Sequence, residues 1–373
     1  MALSQVLLLI ILVHYRDAFS QQQPCQEAKG SKLESLRHSV DIELNSDSGG
    51  VSLQMFNQNQ ERIFKGTLGK NIPTGVEVTD CNIGQACFQF GSLARLSVVE
   101  LDDTCHELTW TSNYLNRFED CFDRDTEWFG GPEEYYQHFP LNNSFVREET
   151  AYLPGDMLQD QKKYFGGVAE PYWLSSKGVA LWVPSGVPLF YSSVQNSFCL
   201  AAKFSPPYEV LMGEPLILRY RICAHEDAKE MHMYAVNHLL GKPVDIPDEG
   251  MMRAPIWSSW AQFKADINQS TILDFARRIH DYNFKVSQIE IDDNWEECYG
   301  DALFDQSEGK FPDPTTMIDT IKNELGYRVT LWIHPFVNLD CASWQPAALP
   351  PSSYFVRDKK GKDGIGNLPG LVW

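Results

Sequence analysis

The chain has 373 residues, enough for two domains or one large one, and 43% of them are hydrophobic, as in a globular protein with a core. Acidic residues outnumber basic ones 50 to 31, which gives a formal net charge of −19. Because phosphate backbones are bound by surfaces rich in Lys and Arg, this balance argues against nucleic acid as a partner.

An unbroken apolar run covers residues 6–13, close to the N-terminus. It is too short to span a bilayer, which takes about 20 residues, but it suits a signal-peptide core with the Ala-Phe-Ser of residues 18–20 as the cleavage site. We therefore predict a signal peptide over residues 1–20 and a protein that is secreted or lies in the lumen of the ER, Golgi or lysosome. An uncleaved type II membrane anchor and a buried strand stay open as alternatives, because no Lys or Arg precedes the run.

Nine cysteines and two N-glycosylation sequons, at Asn142 and Asn268, fit passage through the secretory pathway. In an oxidising compartment most of the cysteines should pair, and the odd number leaves one over. No C-x-x-C spacing occurs, which argues against a zinc site. We predict no metal and no cofactor. The sequence does not determine the connectivity, although local bridges are conceivable for two pairs: Cys81 with Cys87, and Cys105 with Cys121.

Short alternating strands with Gly and Pro between them dominate the first part of the chain. Such a series of strands is typical of a β-sandwich, which we predict for residues 33–240. The strand-like stretches are residues 39–58, 86–101, 105–115, 178–193 and 214–224.

A helical pattern begins near residue 228, and a linker-like stretch follows over residues 244–255. Strands then alternate with helices. The strands are expected in residues 256–263, 285–292 and 328–336, and the helices are marked by an apolar stripe that includes Ile272 and by Asp313-Pro314 at a helix start.

This β-α-β-α-β order implies parallel strands. No Gly-rich nucleotide fingerprint follows any of them, so a (β/α)8 TIM barrel is favoured over a doubly wound sheet. The predicted architecture is thus a β-sandwich followed, over residues 251–373, by the first part of a barrel, incomplete and with about three βα units.

Carboxylates and aromatic rings collect where the predicted barrel strands end, and ligands bind at this edge of such barrels. Adjacent carboxylates repel each other and resist burial, so a pair such as Asp292-Asp293 needs a reason to be there. Sugars supply one, because their apolar faces stack on aromatic rings and their hydroxyls bind carboxylates. The strand ends carry Trp257, Trp260, Asp292, Asp293, Trp295, Trp332 and His334.

Less specific interpretations remain open for each of these residues. Asp292 and Asp293 could cap a loop or form ion pairs, the Trp residues could be ordinary barrel core, and His334 before a proline could be structural. Polar residues further along, Tyr299, Asp301 and Asp305, are more often loop residues than ligands.

Several longer segments resemble glycoside hydrolase family 31, in the α-galactosidase-like branch that contains the myogenesis-regulating glycosidases. The resemblance runs from about residue 80 to the end of the chain. In the barrel it rests on residues 257–260, 289–293, 299–301, 310–312 and 328–336 with Asn338. In the sandwich it rests on residues 128–140 and 164–183.

This resemblance implies a retaining α-glycosidase that acts on a glycan or oligosaccharide, with terminal α-galactosides as the expected substrate. In α-galactosidases of related clans, a paired Asp at this strand end holds the O4 and O6 hydroxyls of galactose. The expected substrate-binding residues are therefore Asp292, Asp293, Trp260, Trp332 and His334, together with Trp373, which matches a family Trp that lines the sugar site.

The family's catalytic carboxylates do not appear in the sequence. The nucleophilic Asp belongs to a fourth-strand segment like KFDAGE and the acid/base Asp follows later, so both are expected beyond Trp373 and no catalytic residue is assigned here. The simplest interpretation is a fragment or a truncated gene model. Three hypotheses result: part of an α-glycosidase, a non-catalytic carbohydrate-binding or regulatory relative, and a secreted structural protein without a ligand.

Overall fold

The computed structural model describes residues 28, 30–44, 50–141, 146–194, 196–208 and 213–344. The chain divides between Lys242 and Pro243 into two compact units. The predicted signal peptide, the sequon at Asn142 and the predicted sugar contact Trp373 lie outside the described residues. Within the described ranges, no helix has both the length and the apolar character needed to cross a membrane.

The first unit contains two antiparallel sheets, with strands numbered along the chain. The first sheet is built from β1 (Ser31–Glu34), β2 (His38–Leu44), β3 (Val51–Asn57), β4 (Arg62–Leu68), β9 (Arg117–Asp123), β11 (Arg147–Ala151), β14 (Leu189–Val194) and β15 (Ser197–Lys203). Its strand order is β1-β2-β3-β4-β9-β15-β14-β11.

The second sheet also has eight strands. They are β5 (Val78–Asp80), β6 (Ala86–Phe90), β7 (Ala94–Glu100), β8 (Cys105–Ser112), β10 (Trp128–Gly130), β12 (Tyr172–Ser175), β13 (Val179–Trp182) and β16 (Leu216–Ala224), in the order β10-β12-β13-β16-β8-β7-β6-β5.

Alternation along the strands creates one core between the two sheets. In β3, for example, Val51, Leu53 and Met55 are fully buried while the residues between them are not. Side chains of both sheets join one hydrophobic cluster that includes Phe122 of the first sheet and Trp110 of the second. The expectation of an N-terminal β domain is confirmed.

The disulfides correct one of the conceivable pairings. Cys81–Cys87 is confirmed, but Cys105–Cys121 is wrong, because the two residues lie on different sheets. Each instead faces a cysteine directly opposite on the adjacent strand, which gives the bridges Cys105–Cys223 and Cys121–Cys199.

A buried carboxylate, Asp120 on β9, joins the two sheets. Its Oδ2 accepts hydrogen bonds from Trp110 Nε1 at 3.0 Å and from the Tyr220 hydroxyl at 2.6 Å, both from the second sheet. Its Oδ1 accepts one from the Gly69 N–H at 2.6 Å. Burial raises the pKa of Asp120 to about 7, although the three donors favour its ionised form.

Replacing Asp120 should therefore strongly destabilise the first unit. Asp120→Ala leaves three buried donors without their acceptor, and we expect a loss of about 3 kcal/mol or more in the free energy of unfolding. Asp123→Ala, which removes only a partly exposed ion pair with Lys65, should cost less than about 1 kcal/mol. Urea denaturation followed by hydrogen exchange in first-unit peptides compares the two variants. Equal costs would contradict the assigned role.

Two buried histidines form a second contact between the sheets. His38 Nε2 on β2 lies 3.4 Å from His106 Nδ1 on β8, and both residues are almost fully buried. Burial lowers the pKa of each to about 4. His106 and Arg37 lower the pKa of His38 further, and the Asp102 carboxylate opposes this only weakly.

The histidines should make the first unit sensitive to acid. Their pKa is lower in the folded than in the unfolded state, so stability falls as the pH drops from about 6.5 towards 4. The loss between pH 7 and pH 5 is about 4 kcal/mol for the two together. The raised pKa of Asp120 acts in the opposite direction in the same window and offsets about 2 kcal/mol.

Removing both imidazoles should therefore reverse the pH dependence. A variant with His38→Gln and His106→Gln should be more stable at pH 5 than at pH 7, whereas the parent should be less stable at pH 5. Urea denaturation of both proteins at the two pH values, read in first-unit peptides, checks this. His138→Gln, at an exposed position of the first unit, is the control. An unchanged pH dependence in the double variant would contradict the assignment.

The predicted helix after the sandwich is present as α1 (Ala228–Ala235), capped by Asp227 and continued by a π-helical turn over Val236–Leu240. It packs on the second sheet through Met231 and Ala235.

The start of the second unit differs from the sequence-based expectation. The stretch expected to be a linker contains a short helix, α2 (Glu249–Arg253), which Asp248 caps through a bond to the Gly250 N–H. The remaining elements alternate as expected: β17 (Ile256–Ser258), α3 (Trp260–Phe263), α4 (Gln269–Asp281), β18 (Gln288–Ile291), α5 (Pro314–Asp319) with a π-helical continuation over Thr320–Glu324, and β19 (Arg328–Leu331).

Strands β17, β18 and β19 pair in parallel in that order. The predicted apolar stripe of α4 is confirmed, since Ile272, Ala276 and Ile279 are buried in one cluster with Ile289 and Ile291 of β18. Because side chains alternate along a strand, the residues between and after these isoleucines face the other side of the sheet.

Candidate functional site

Asp292 lies just beyond the end of β18 and is held mainly by the end of β17. Its backbone N–H donates to Ser259 Oγ at 2.9 Å, and the Ser258 hydroxyl donates to its Oδ2 at 3.2 Å. Its Oδ1 accepts from the N–H of Asp293 at 2.8 Å. A carboxylate has about four acceptor positions, so this half-buried group can accept further hydrogen bonds.

Asp293 has a different environment from its neighbour. It is only 1% exposed, and the Tyr299 hydroxyl donates a short hydrogen bond to its Oδ1. Its Oδ2 is buried without a hydrogen-bond partner in the part of the chain that the structure describes. A buried carboxylate oxygen without a donor is costly, so Oδ2 is an acceptor that a ligand hydroxyl could satisfy.

Tyr299 connects the Asp293 carboxylate to a cluster of aromatic rings. The Trp332 and His334 ring centroids, at the end of β19, are 5.1 Å apart, and the Tyr299 ring lies 5.1 Å from His334 and 6.3 Å from Trp332. The N–H of Phe336 donates to His334 Nδ1 at 3.1 Å, so in the neutral ring Nε2 carries the proton and can donate. Trp332 and His334 are half-buried.

The other Trp residues at the strand ends occupy distinct places. Trp295 is core, as the less specific interpretation had it: it is 2% exposed and donates from Nε1 to the Trp332 carbonyl at 2.7 Å. Trp257 packs against Phe275 on α4. Trp260 is half-buried at the start of α3, with the Lys264 ammonium 5.0 Å from its ring centroid.

Sequence reasoning missed the residues that hold the carboxylates. Ser258 and Ser259 were noticed only as part of a resemblance, although two hydroxyls at a strand end are a signal for hydrogen bonding to a neighbouring strand. Tyr299 was treated as a loop residue. Nothing in its local pattern points to Asp293, because a loop brings the two together.

The sequon residue Asn268 has a structural role of its own. It caps α4, with its Oδ1 accepting from the Thr271 N–H and from the Ser270 hydroxyl, both at 3.0 Å. The residue is half-buried. Its use as a glycosylation site stays a prediction.

Comparison with known proteins identifies the class of the second unit. Residues 253–372 match the family model described as the glycosyl hydrolases family 31 TIM-barrel domain. This segment of the chain is therefore similar to the barrel domain of glycoside hydrolase family 31. The resemblance read from its motifs is confirmed, and a TIM barrel is preferred over a doubly wound sheet.

Two curated relatives extend the match into the first unit. Myogenesis-regulating glycosidase of Mus musculus is 31% identical over 359 residues, which cover 91% of this chain and 48% of that protein. SITS-binding protein of Tetronarce californica is 31% identical over 195 residues, covering 50% of this chain and 26% of that protein. The chain thus spans about half the length, or less, of the curated relatives it matches.

A solved structure shares the fold. A GH31 family sulfoquinovosidase from E. rectale, solved with an aza-sugar inhibitor, aligns with a TM-score of 0.58 at 15% identity. The alignment covers 92% of this chain and 52% of that chain.

Proposed function

We propose that this chain carries a sugar-binding site of a retaining α-glycosidase that hydrolyses terminal α-galactosides. The observation that carries the proposal is the pair Asp292 and Asp293 at the end of β18. Asp292 is half-buried: its carboxylate accepts from the Ser258 hydroxyl, and its backbone N–H donates to Ser259 Oγ. Asp293 has a buried carboxylate oxygen without a donor among the described residues. The whole protein's hydrolytic activity is part of the proposal.

The chemistry of the site suits a hexose. Asp292 offers free acceptor positions, Asp293 Oδ2 needs a donor, and sugar hydroxyls donate well to carboxylates. Beside them the half-buried rings of Trp332 and His334 provide an apolar surface for a sugar face and one N–H donor. In the proposal Trp260 and Trp373 complete the sugar contacts.

Both aspartates are assigned to binding rather than to bond cleavage. Each carboxylate already accepts hydrogen bonds from fixed donors, which suits an acceptor for hydroxyl groups. Retaining hydrolysis needs a nucleophile and an acid/base about 5–5.5 Å apart across the scissile bond, and the proposal assigns neither role to Asp292 or Asp293.

A secretory location accompanies this function. Among the described residues, four disulfides are formed, and disulfides persist in oxidising compartments. We propose that the mature protein begins near Gln21 and carries glycan on Asn142 or Asn268.

Removing either charge should weaken sugar binding while the fold survives. Losing one charge-assisted hydroxyl bond costs about 1.5–3 kcal/mol, so Asp292→Asn and Asp293→Asn should each reduce the affinity for methyl α-galactoside roughly ten- to a hundredfold. Isothermal titration measures the affinity and circular dichroism checks the fold.

Asp319→Asn, an exposed position on α5 of the same unit, is the matched control and should bind like the parent. If both site variants also bound like the parent, the sugar assignment would be wrong. If both failed to fold, the carboxylates would be structural caps.

Glycosylation can be separated from helix capping at Asn268. Asn268→Asp removes one glycan acceptor but keeps a good N-cap, so its stability should be unchanged. If Asn268 is the site used, the secreted variant should lose one glycan in mass, and if Asn142 is used, its mass should keep the glycan. Mass spectrometry of the parent should show a glycosylated Asn142 or Asn268 and no Met1. An unmodified parent with an intact N-terminus in a membrane fraction would contradict this.

A further inference from the structure

Two loops at the strand ends are tied together by a disulfide. We call them the bridged loops: residues 298–302, after β18, and residues 337–343, after β19. The Cys298–Cys341 bridge joins them, with Cα atoms 5.6 Å apart. The Asp301 carboxylate adds two contacts, accepting from the N–H of Ala342 at 3.1 Å and of Ser343 at 2.8 Å.

The bridged loops also approach each other closely beside the disulfide. Gly300 has a positive φ of 109°, and a Cβ there would lie 2.7 Å from the Cα of Val337. Its N–H donates to the buried Glu296 carboxylate at 2.8 Å. The backbone on both sides of Tyr299 is therefore fixed.

Tyr299 is the residue that this arrangement holds in place. Its carbonyl accepts from the Asn338 N–H at 2.9 Å, and its hydroxyl donates to Asp293 Oδ1. Its ring contacts both Trp332 and His334. Burial and the bond to Asp293 raise the pKa of the Tyr299 phenol, so the hydroxyl stays protonated and remains a donor.

We propose that Tyr299 is a positioning residue of the sugar site and that the Cys298–Cys341 bridge fixes its place. Tyr299 orients the Asp293 carboxylate so that Oδ2 is left for the ligand, and it supports the two rings at the end of β19. The inference rests on the proposed function and deepens it, by naming what holds the sugar-binding groups in position.

A double-mutant cycle separates positioning from a general effect on the fold. Tyr299→Phe keeps the ring and removes the hydroxyl, so the affinity for methyl α-galactoside should fall about tenfold. In an Asp293→Asn background the same change should have little further effect, because the hydroxyl acts through that carboxylate. Tyr327→Phe, a half-buried tyrosine of the same unit, should bind like the parent in both backgrounds.

Removing the bridge tests the other half of the proposal. The variant with Cys298→Ser and Cys341→Ser should lose affinity at least as strongly as Tyr299→Phe. The variant with Cys81→Ser and Cys87→Ser, which lacks a bridge of the first unit, should not. Equal affinities for the parent, Tyr299→Phe and the bridge-free variant would overturn the inference, as would additive effects of Tyr299→Phe and Asp293→Asn.

A ligand-free measurement distinguishes failure of this inference from failure of the proposed function. Carbodiimide coupling to glycine ethyl ester, read by mass spectrometry, should label Asp293 slowly in the parent, since that carboxylate is buried. Labelling should be several-fold faster in the Cys298→Ser, Cys341→Ser variant and unchanged in the Cys81→Ser, Cys87→Ser control.

If the parent showed no binding heat, the proposed function would fail while faster labelling still supported the positioning role. Unchanged protection of Asp293 without the bridge would overturn that role. If the variant without the Cys298–Cys341 bridge did not fold, the double-mutant cycle of Tyr299→Phe and Asp293→Asn would decide whether Tyr299 is a positioning residue.

Discussion

Two neighbouring carboxylates at the end of a buried strand must each find hydrogen-bond donors, and the strand ends of the second unit are arranged around this requirement. The Ser258 hydroxyl, at the end of β17, and the N–H of Asp293 donate to the Asp292 carboxylate. The Tyr299 hydroxyl, from the loop after β18, donates to the Asp293 carboxylate. Because successive residues of a strand face opposite sides, one donor set cannot serve both groups. The result is one accessible and one enclosed carboxylate, each with acceptor capacity to spare.

The first unit also contains a buried carboxylate that needs hydrogen-bond donors, but there the carboxylate has a structural role. Asp120 is as deeply buried as Asp293, but three donors from both sheets satisfy its two oxygens. Nothing about Asp120 calls for a ligand, and its effect is to hold two sheets together. Asp293 keeps one oxygen without a donor among the described residues. Burial alone does not distinguish a structural carboxylate from a candidate binding group. The distinction is whether both of its oxygens have hydrogen-bond donors within the protein.

Sequence patterns predicted those parts of the molecule that local physics decides. Alternation of period two marked strands such as β3, and the Asp313-Pro314 start marked α5. Local sequence patterns could not predict the cysteine pairing, because Cys105 lies opposite Cys223 only as a result of the strand order in the second sheet. The strand-end rule located Asp292 and Asp293, but not Tyr299. Its role depends on contacts with a loop about forty residues further along the chain.

The Cys298–Cys341 disulfide makes the geometry of the proposed sugar site depend on the redox conditions around the protein. Closing a loop of 43 residues by a disulfide removes unfolded-state entropy worth about 4 kcal/mol in the chain-entropy model, which is large beside a single hydrogen bond. The contacts around Tyr299, including the close approach at Gly300, are each weaker than that. The covalent bond therefore does most to keep the two loops together. Since such a bond persists where thiols are oxidised, the geometry of the proposed sugar site depends on the oxidising compartment that the proposal assigns to the protein.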